Sequence, residues 1–253
     1  MENIKHFDMR PFISIILPTF NSKSYVSDTI QSVLNQTYKN YELLIIDDYS
    51  VDQTKDFIKQ KYKNSKVRLI DKNLPKGVSF SRQLGFTESK GEFICFLDSD
   101  DLWMPNKLEE QLNFMIKNQF VFSSTSIIRK NINKEKYFTP PFKNTFNSVQ
   151  KTNPLHTSSI MIKKEILDKK DFIHMGYDDF ILWINILKKG YECYNLNKPL
   201  CIYKVDNENS LSSNYLRALY WNVLIQIKII KPNIIGFIIN ILSYISNAIK
   251  KRI

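Results

Sequence analysis

Cysteine is scarce in this sequence, and no two cysteines stand at CxxC spacing. The three present, Cys95, Cys193 and Cys201, each lie in an apolar stretch, which is typical of reduced, buried thiols. The N-terminal segment MENIKHFDMRPF contains charges and a proline where a secretory signal needs an apolar run. We therefore expect a cytoplasmic protein that is not exported and keeps its thiols reduced.

Acidic residues are absent from the C-terminal end of the chain. From Asn214 onward there are six basic residues and no acidic one, in a chain of 253 residues with a net charge of +11. Such an excess indicates an anionic partner: nucleic acid, a phosphorylated ligand or a membrane surface. Outside this tail no basic patch is interleaved with aromatic residues, which argues against nucleic acid.

Four short apolar runs in the first hundred residues alternate with helical patterns, such as the spacing of Val26, Ile30 and Val33. Strands that alternate with helices of about a dozen residues indicate βαβ units. We predict an α/β fold with a mostly parallel central sheet flanked by helices. The four predicted strands are ISIIL (13–17), YELLII (41–46), KVRLI (66–70) and EFICFL (92–97).

Polar segments follow three of these strands. PTFN follows the first strand, DDYSVD the second and DSDD the fourth. Ligands of such sheets bind beyond the carboxyl ends of the strands. We therefore expect the three segments to converge on one edge of the sheet and to form the functional site there.

The segment DSDD places three carboxylates within four positions. In an extended chain Asp98 and Asp100 point the same way, so they can share a hard divalent cation such as Mg²⁺. The alternative is a solvated turn in which Asp101 caps the next helix, predicted to open at Pro105. Spacing alone does not choose between a metal site and a turn.

The second half of the chain is less regular. We predict strands over 121–128 and 156–162, a helix over 178–189, and one or two strands over 191–205. Residues 131–155 contain two adjacent prolines, many Asn and Lys, and no periodicity, so we predict a long loop there. Loops of this length in a compact domain are usually functional or mobile.

Five ordered motifs resemble those of the family 2 glycosyltransferases, which have the GT-A (Rossmann-like) nucleotide-sugar-binding fold. They are ISIILPTFN, LLIIDDYSVDQT, SFSRQLGF, KGEFICFLDSDDLW and DDFILWINILKKG. The resemblance is close over 13–107 and looser over 156–213. It implies a GT-A domain over 1–213, in which 10–107 binds the nucleotide sugar and 108–213 binds the acceptor.

The resemblance also implies roles in a UDP-sugar site. Pro18 and Phe20 match positions that line the base and ribose, and Asp48 matches the carboxylate that accepts a hydrogen bond from uracil. Asp98 matches the carboxylate near the ribose and donor sugar, and Asp100 matches the ligand of Mn²⁺ or Mg²⁺ on the diphosphate. The remaining nucleotide-sugar positions are Ser99, between these carboxylates, and Arg82, in SRQ where the family often has ARN.

The resemblance identifies Asp179 as the general base, since it falls where the family has Glu-Asp; Asp178 is the alternative. A base must lie within hydrogen-bond reach of the acceptor hydroxyl, and a bound metal neutralises the departing diphosphate. One base without a second carboxylate nucleophile implies a single displacement with inversion at the anomeric carbon. An α-linked UDP-sugar would then give a β-linked product.

The chain departs from the family pattern in its later segments. YKVD (203–206) lacks the histidine of the family's Y-R-x-H-type segment, and Lys204 there either approaches the diphosphate or is a solvated strand residue. No QxxRW motif is present, so we expect one sugar per encounter. Weaker candidates for substrate contact, each also explained by packing, capping or solvent exposure, are Asp101, Trp103, His156 and Lys76.

Within the basic, apolar tail over 214–253, residues 234–253 have a helical pattern that is apolar except for a narrow stripe of Gly236, Asn240, Ser243, Asn247 and Lys250. Sixteen residues at 1.5 Å per residue span about 24 Å, short of a hydrocarbon core of roughly 30 Å. We therefore predict that 228–253 contacts an anionic membrane surface through an amphipathic helix that lies in its plane, with Lys228 and Lys231 before the helix. The alternative is a helix packed on the catalytic domain or on a second subunit of a homodimer.

Together these features predict a metal-dependent, inverting hexosyl- or N-acetylhexosaminyltransferase, peripheral on the cytoplasmic face of the inner membrane. The resemblance implies a UDP-sugar donor and a saccharide acceptor on undecaprenyl diphosphate, in bacterial O-antigen, capsule or lipooligosaccharide synthesis. A sugar nucleotidyltransferase would carry a Gly-rich, Arg-containing loop after the first strand, and LPTFNSKS has neither residue. The other alternative is a non-catalytic nucleotide-sugar-binding membrane module, against which the four retained aspartates argue: Asp48, Asp98, Asp100 and Asp179.

Overall fold

A ten-stranded sheet forms the centre of the structure, a computed structural model that describes residues 10–63, 65–131, 134–204 and 215–250. The strands are β1 (Ile13–Thr19), β2 (Tyr41–Asp47), β3 (Val67–Ile70), β4 (Phe93–Phe96), β5 (Leu102–Trp103), β6 (Phe122–Lys130), β7 (Glu135–Phe138), β8 (Lys143–Asn144), β9 (Met161–Lys163) and β10 (Cys193–Lys204). The helices are α1 (Val26–Leu34), α2 (Thr54–Lys61), α3 (Val78–Glu88), α4 (Lys107–Asn118), α5 (Phe146–Val149), α6 (Asp178–Lys188), α7 (Tyr215–Ile225) and α8 (Ile234–Lys250). The end of the predicted domain, 205–213, and the end of the predicted tail, 251–253, lie outside the described residues.

Six of the ten strands run in the same direction, so their carboxyl ends lie at one edge of the sheet. The order is β3-β2-β1-β4-β9-β6-β10-β5, with β7 beside β6 and β8 beside β10. Strands β3, β2, β1 and β4 are parallel. Because β9 is antiparallel to both β4 and β6, β6 and its parallel neighbour β10 run in the direction of β1. The predicted fold class, a mostly parallel sheet flanked by helices, is confirmed.

Both faces of the sheet are buried, which explains why the strands in the first half are nearly continuous apolar runs. Along β1, Ile15 faces the layer that contains α1 and α4, whereas Ile16 faces the layer that contains α3 and α6. Helix α3 lies so close to β1 that a Cβ at Gly85 would be 2.5 Å from Cγ2 of Ile16. This close packing fixes α3, and with it Arg82, against the sheet.

The second half of the chain corrects two predictions. The segment 131–155 is not a continuous loop, because its described residues include β7, β8 and α5. Their side chains are largely exposed, so they show no apolar periodicity. The predicted strand over 156–162 is wrong in its first part, where a 3₁₀ turn, Thr157–Ser159, precedes β9. Of the one or two strands predicted over 191–205, the described residues 191–204 contain one, β10, with register shifts around Pro199.

The C-terminal helices pack one face on the catalytic domain. A π-helical turn, Gln226–Ile230, joins α7 to the segment before α8, and no helix within 10–63, 65–131, 134–204 or 215–250 is long and apolar enough to cross a membrane. Asn240, in the middle of the predicted polar stripe, is 3% exposed. Asn240 therefore faces the protein, whereas Ile234, Ile238 and Leu242 of α8 face outward.

Candidate active site

The polar segments that follow β1 and β2 are hydrogen-bonded to each other at the carboxyl edge of the sheet. The backbone N–H of Asn21 donates to Oγ of Ser50, and the N–H of Val51 donates to Oδ1 of Asn21, both at 2.9 Å. The loop after β4 is bonded to α1, the helix that follows the first of these segments, because Oγ1 of Thr29 donates to the carbonyl of Ser99 at 2.7 Å. The predicted convergence of the three segments on one edge is what the structure shows.

Asp48, the predicted uracil contact, is buried and engaged within the protein. It forms an ion pair with Lys72 and accepts hydrogen bonds from the N–H of Gly77, at 3.0 Å to each carboxylate oxygen. Nζ of Lys72 also donates to the carbonyl of Gly77 at 3.1 Å and to Oγ of Ser81 at 3.0 Å. Lys72 therefore fixes the loop between β3 and α3 over the site, a role for which its surface-loop sequence gives no signal.

The two residues predicted to line the base differ in their positions. Pro18 is buried inside β1, paired in register with Ile46 of β2. Phe20, just past the end of the strand, is exposed, and Nζ of Lys76 lies 3.9 Å from the centroid of its ring. Phe20 and Lys76 thus form an aromatic and cationic rim beside Asp48, suited to a base and a phosphate.

The carboxylates after β4 are held by Arg82 and Ser158. Nη2 of Arg82 donates to Oδ1 of Asp98 at 2.7 Å. The backbone N–H of Asp98 donates to Oγ of Ser158 at 3.1 Å, and that hydroxyl donates to Oδ2 of Asp101 at 2.5 Å. Ser158, in the 3₁₀ turn before β9, is a supporting residue that the sequence analysis missed.

Asp101 does not cap the next helix, which corrects one of the two alternatives for DSDD. Helix α4 begins at Lys107, and Asp101 lies beneath the loop with 2% exposure. Burial, reinforced by the charges of Asp98 and Asp100, raises the pKa of Asp101 well above that of an ordinary carboxyl. The loop therefore has a buried carboxylate below and two more accessible ones, Asp98 and Asp100, above.

In the structure Trp103 is a packing residue, the alternative to substrate contact that the sequence left open. Its ring is buried, and Nε1 donates to the carbonyl of Ser158 at 2.7 Å. Nζ of Lys107, also buried, lies 3.8 Å from the centroid of the Trp103 ring. Trp103 therefore supports the carboxylate loop from below.

Asp178 and Asp179, at the start of α6, have different partners. Oδ1 of Asp178 accepts hydrogen bonds from the N–H of Met175 at 2.9 Å and of Gly176 at 2.8 Å, so it closes the preceding turn. Oδ2 of Asp179 accepts one from Oγ1 of Thr157 at 3.0 Å. Burial raises the pKa of Asp179, as does the charge of Asp98, whereas Arg82 lowers it. Asp179 is therefore the carboxylate suited to accept a proton.

Arg82 connects the carboxylates of the two halves. Burial opposes its charge, but the charges of Asp98 and Asp179 raise its pKa above the ordinary arginine value. Residues from α3, from the end of β4 and from the start of α6 thus form one electrostatic unit.

His156 and Lys204 lie on the side of the site formed by β6 and β10. Nε2 of His156 is 3.2 Å from Nη2 of Arg129, and its ring lies 5.5 Å from that of Phe138 and 5.3 Å from that of Tyr203. Nζ of Lys204 lies 3.7 Å from Oδ2 of Asp28 on α1. Arg129 is a further residue that the sequence analysis did not single out.

A family model described as "Glycosyl transferase family 2" matches residues 14–176. The chain belongs to this family. A curated relative, the E. coli "UDP-Glc:alpha-D-GlcNAc-diphosphoundecaprenol beta-1,3-glucosyltransferase WfgD", is 34% identical over 245 residues, which cover 95% of this chain and 94% of that protein.

Two glycosyltransferases of known structure have the same fold as this chain. S. aureus TarS 1–349 in complex with UDP-GlcNAc aligns with a TM-score of 0.66 and 18% identity, over 86% of this chain and 67% of that one. The mannosyltransferase PcManGT of Pyrobaculum calidifontis, in complex with GDP-Man and Mn²⁺, aligns with a TM-score of 0.69 and 17% identity, over 92% and 69%. The predicted GT-A fold is confirmed.

The carboxylates of the glycosyltransferase fit a divalent metal that is held jointly with a substrate. Among the described residues no group of three or more His, Cys, Asp or Glu is arranged to hold an ion. Mg²⁺ in phosphate-transferring sites is commonly bound by one or two carboxylates together with substrate phosphates and water. Asp100 and Asp98, at the end of β4, supply hard oxygen donors of this type.

Proposed function

We propose that this glycosyltransferase moves a single hexosyl or N-acetylhexosaminyl residue from a UDP-sugar to a saccharide linked to a lipid diphosphate, with inversion at the anomeric carbon. The observation that carries the proposal is the position of Arg82 between Asp98 and Asp179. Arg82 links Asp98, the predicted donor-side carboxylate, to Asp179, the predicted base, at one edge of the sheet. A single displacement requires the donor and the base to be close together in this way.

Asp179 acts as the general base in this proposal. Its hydrogen bond from Thr157 orients one carboxylate oxygen, and its raised pKa brings its basicity closer to that of an efficient proton acceptor at neutral pH. Asp178 is engaged by the turn that precedes α6. With one base and no carboxylate nucleophile, the acceptor oxygen attacks from the face opposite the departing diphosphate, and the anomeric configuration inverts.

The donor side binds the nucleotide through Asp48, Phe20 and Lys76. Asp48 accepts hydrogen bonds from the uracil ring, with Lys72 and Gly77 holding its carboxylate in place. Asp100, with Asp98 beside it, would hold Mn²⁺ or Mg²⁺, which supplies positive charge to the departing diphosphate. The UDP-Glc in the name of WfgD and the UDP-GlcNAc bound to TarS support a uridine nucleotide, and the Mn²⁺ with PcManGT supports a metal.

The acceptor in this proposal is a saccharide on undecaprenyl diphosphate in the synthesis of O-antigen, capsule or lipooligosaccharide. Support comes from WfgD, whose name gives alpha-D-GlcNAc-diphosphoundecaprenol as the acceptor. An acceptor embedded in a membrane requires the enzyme to work at the membrane surface. We propose that residues 228–253 provide that contact, peripheral on the cytoplasmic face of the inner membrane.

Helix α8 has the side-chain distribution that such a contact needs. Nδ2 of Asn240 donates to Oε1 of Gln226 at 3.0 Å and to Oε1 of Gln150 at 3.3 Å, so the middle of the helix is bound to the protein through this residue. The opposite side exposes a row of isoleucine and leucine, with Ile234 80% exposed and Leu242 61% exposed. Exposed apolar surface flanked by Lys228, Lys231 and the C-terminal basic residues is typical of binding to anionic lipid.

The experiment that tests the proposal supplies candidate donors to the enzyme together with α-GlcNAc diphosphate carrying an alkyl chain. UDP-Glc, UDP-GlcNAc and GDP-Man are compared, and the product's linkage is determined by NMR. We expect a β-linked product from a UDP-sugar, with release of UDP. An α-linked product would contradict inversion, and turnover with GDP-Man alone would contradict the uridine donor. Formation of a nucleotide sugar from a sugar phosphate and a nucleoside triphosphate would instead show a nucleotidyltransferase.

A further inference from the structure

Arg129 is a cation without a carboxylate partner among the described residues. It lies near the carboxyl end of β6, and because β6 runs in the direction of β4, it is at the same edge of the sheet as the carboxylate loop. The guanidinium lies 5.1 Å from the centroid of the Phe138 ring, and its Nη2 contacts His156 at 3.2 Å. Burial lowers the pKa of Arg129, and its buried Nε has no hydrogen-bond partner within the described part of the chain.

Lys136 adds a second positive charge beside that of Arg129. It is paired in register with Arg129 across the antiparallel strands β6 and β7. Side chains that stand opposite each other in an antiparallel pair share one face of the sheet, and two like charges there are destabilising. The neighbouring pair of Lys130 and Glu135 forms an ion pair at 2.7 Å, whereas the described ion pairs involve neither Arg129 nor Lys136. Two adjacent cations that have no counter-ion among the described residues are suited to an anionic ligand.

This cationic pair is linked to the proposed base through consecutive residues. His156, which contacts Arg129, precedes Thr157, whose hydroxyl donates to Asp179. An anion at Arg129 would therefore be separated from the hydrogen bond that Asp179 accepts by the two adjacent residues His156 and Thr157. The donor diphosphate belongs to the loop after β4, and β6 is two strands away, about 10 Å at the usual strand spacing. The two positions are far enough apart for separate phosphate groups.

We propose that Arg129 and Lys136, with His156 beside them, bind the diphosphate of the lipid-linked acceptor; this rests on the proposed function above. The planar guanidinium of Arg129 donates to two phosphate oxygens at once, and Lys136 adds a point charge at the exposed rim. The anion supplies the acceptors and the negative charge that Arg129 lacks. Binding there fixes the reducing end of the acceptor, so that its attacking hydroxyl is presented to Asp179.

The test measures the affinity of two acceptor probes in the absence of donor. One probe is α-GlcNAc diphosphate on a short alkyl chain, and the other is the alkyl α-GlcNAc glycoside, which has no diphosphate. Binding is compared between the unchanged enzyme and the variants Arg129→Gln, Arg129→Lys and Lys136→Gln. Lys130→Gln is the matched control, since it removes an equal charge from the same hairpin. The melting temperature of each variant and its affinity for UDP are measured as controls for folding and for the donor site.

We expect Arg129→Gln to weaken binding of the diphosphate probe by about 10- to 100-fold, the range for loss of a charge-assisted bidentate contact. Lys136→Gln should weaken it less, and Arg129→Lys should fall between the unchanged enzyme and Arg129→Gln. The glycoside should bind all variants equally, and Lys130→Gln should leave both probes unaffected. Lys136 is exposed, so its variant still tests the proposal if Arg129→Gln fails to fold.

Equal losses for both probes, or no loss for either, would overturn the assignment of a diphosphate site. A loss of UDP affinity with an unchanged diphosphate probe would place the cations on the donor side and would also overturn it. Failure of the proposed function gives a different result. In that case the diphosphate probe binds in the predicted order, but no UDP-sugar is turned over.

Discussion

A hydrogen bond of 2.7 Å joins Nη2 of Arg82 to Oδ1 of Asp98, and the charge of the same guanidinium acts on Asp179. Arg82 is buried on α3, which is packed closely against β1. The donor-side carboxylate and the proposed base therefore share one rigid cation. Replacing Arg82 should affect both Asp98 and Asp179, and the change in the pKa of Asp179 can be measured from the pH dependence of kcat.

The rate of transfer should fall as the pH is lowered through the pKa of Asp179, because a base acts only when deprotonated. Burial raises that pKa, so the acid limb should lie above the ordinary aspartate value of about 4. Arg82 lowers the pKa of Asp179, so Arg82→Gln should move the limb to higher pH. The measurement is kcat against pH at saturating substrates, with Arg68→Gln, remote from Asp179, as control. An acid limb at the same pH in Arg82→Gln as in the unchanged enzyme would contradict the electrostatic coupling of Arg82 to Asp179.

Replacing Asp179 by Asn should reduce kcat by about 100- to 10,000-fold, the usual contribution of a general base, and leave the affinity for UDP nearly unchanged. Replacing Asp178 by Asn should retain most transfer, since an amide oxygen can still accept the hydrogen bonds from Met175 and Gly176. The variants are compared in kcat and in UDP affinity. Normal transfer by Asp179→Asn, with loss in Asp178→Asn, would exchange the roles of the two residues.

Removing divalent metal with EDTA should stop transfer, and Mn²⁺ or Mg²⁺ should restore it. Asp100→Asn should raise the metal concentration needed for half-maximal rate, because the ion loses a charged ligand. The control is Asp71→Asn, whose carboxylate pairs with Lys55 on the surface. Full activity in chelator would exclude the proposed metal role.

Helix α8 should carry binding to anionic vesicles. Ile238 on α8 and Ile116 on α4 are both 51% exposed, so Ile238→Ser and Ile116→Ser are a matched pair. Ile238→Ser should weaken vesicle binding severalfold, because full burial of an isoleucine contributes about 1.5–3 kcal/mol and Ile238 begins half exposed. Sedimentation with vesicles gives the affinity. Equal binding by the two variants, or a stable dimer that hides α8 from lipid, would contradict a membrane contact.

Ser158→Ala should destabilise the carboxylate loop. The variant leaves the buried Asp101 without its hydroxyl donor, a loss that typically costs about 1–3 kcal/mol. Denaturant unfolding measures the change in the free energy of unfolding, and Ser65→Ala, at an exposed turn, is the control. A cost equal to that of the control would show that Ser158 does not support the loop.

The first half of the fold can be predicted because its physical signals are local. Parallel strands buried on both faces appear as apolar runs, and the polar segments after them meet at one edge whatever the details of packing. The exposed strands β7 and β8 leave no such pattern, since pairing with β6 and β10 stabilises them and apolar burial does not.

Within the site, the residues missed by the sequence analysis depend on contacts between distant segments. Lys72 is a loop lysine in the sequence, and only the fold of the loop after β3 brings it to Asp48. Ser158 reaches Asp101 from 57 positions away. Asp101 itself follows a strand and precedes a helix, a position compatible with either a cap or a buried carboxylate. The sequence pattern is the same for a helix cap and for a buried carboxylate, and only the tertiary packing distinguishes the two.

The inward-facing amides of Gln226, in the π-helical turn, and Asn240, on α8, connect the C-terminal helices to the catalytic domain by hydrogen bonds. Nε2 of Gln226 donates to the backbone carbonyl of Gln150 at 2.9 Å, and Asn240 reaches the side chain of the same residue. A chain shortened before Gln226 to improve its handling in water would lose both amides and uncover the end of α5. Such a shortened chain should be compared with the 253-residue chain in acceptor binding before it is used in its place.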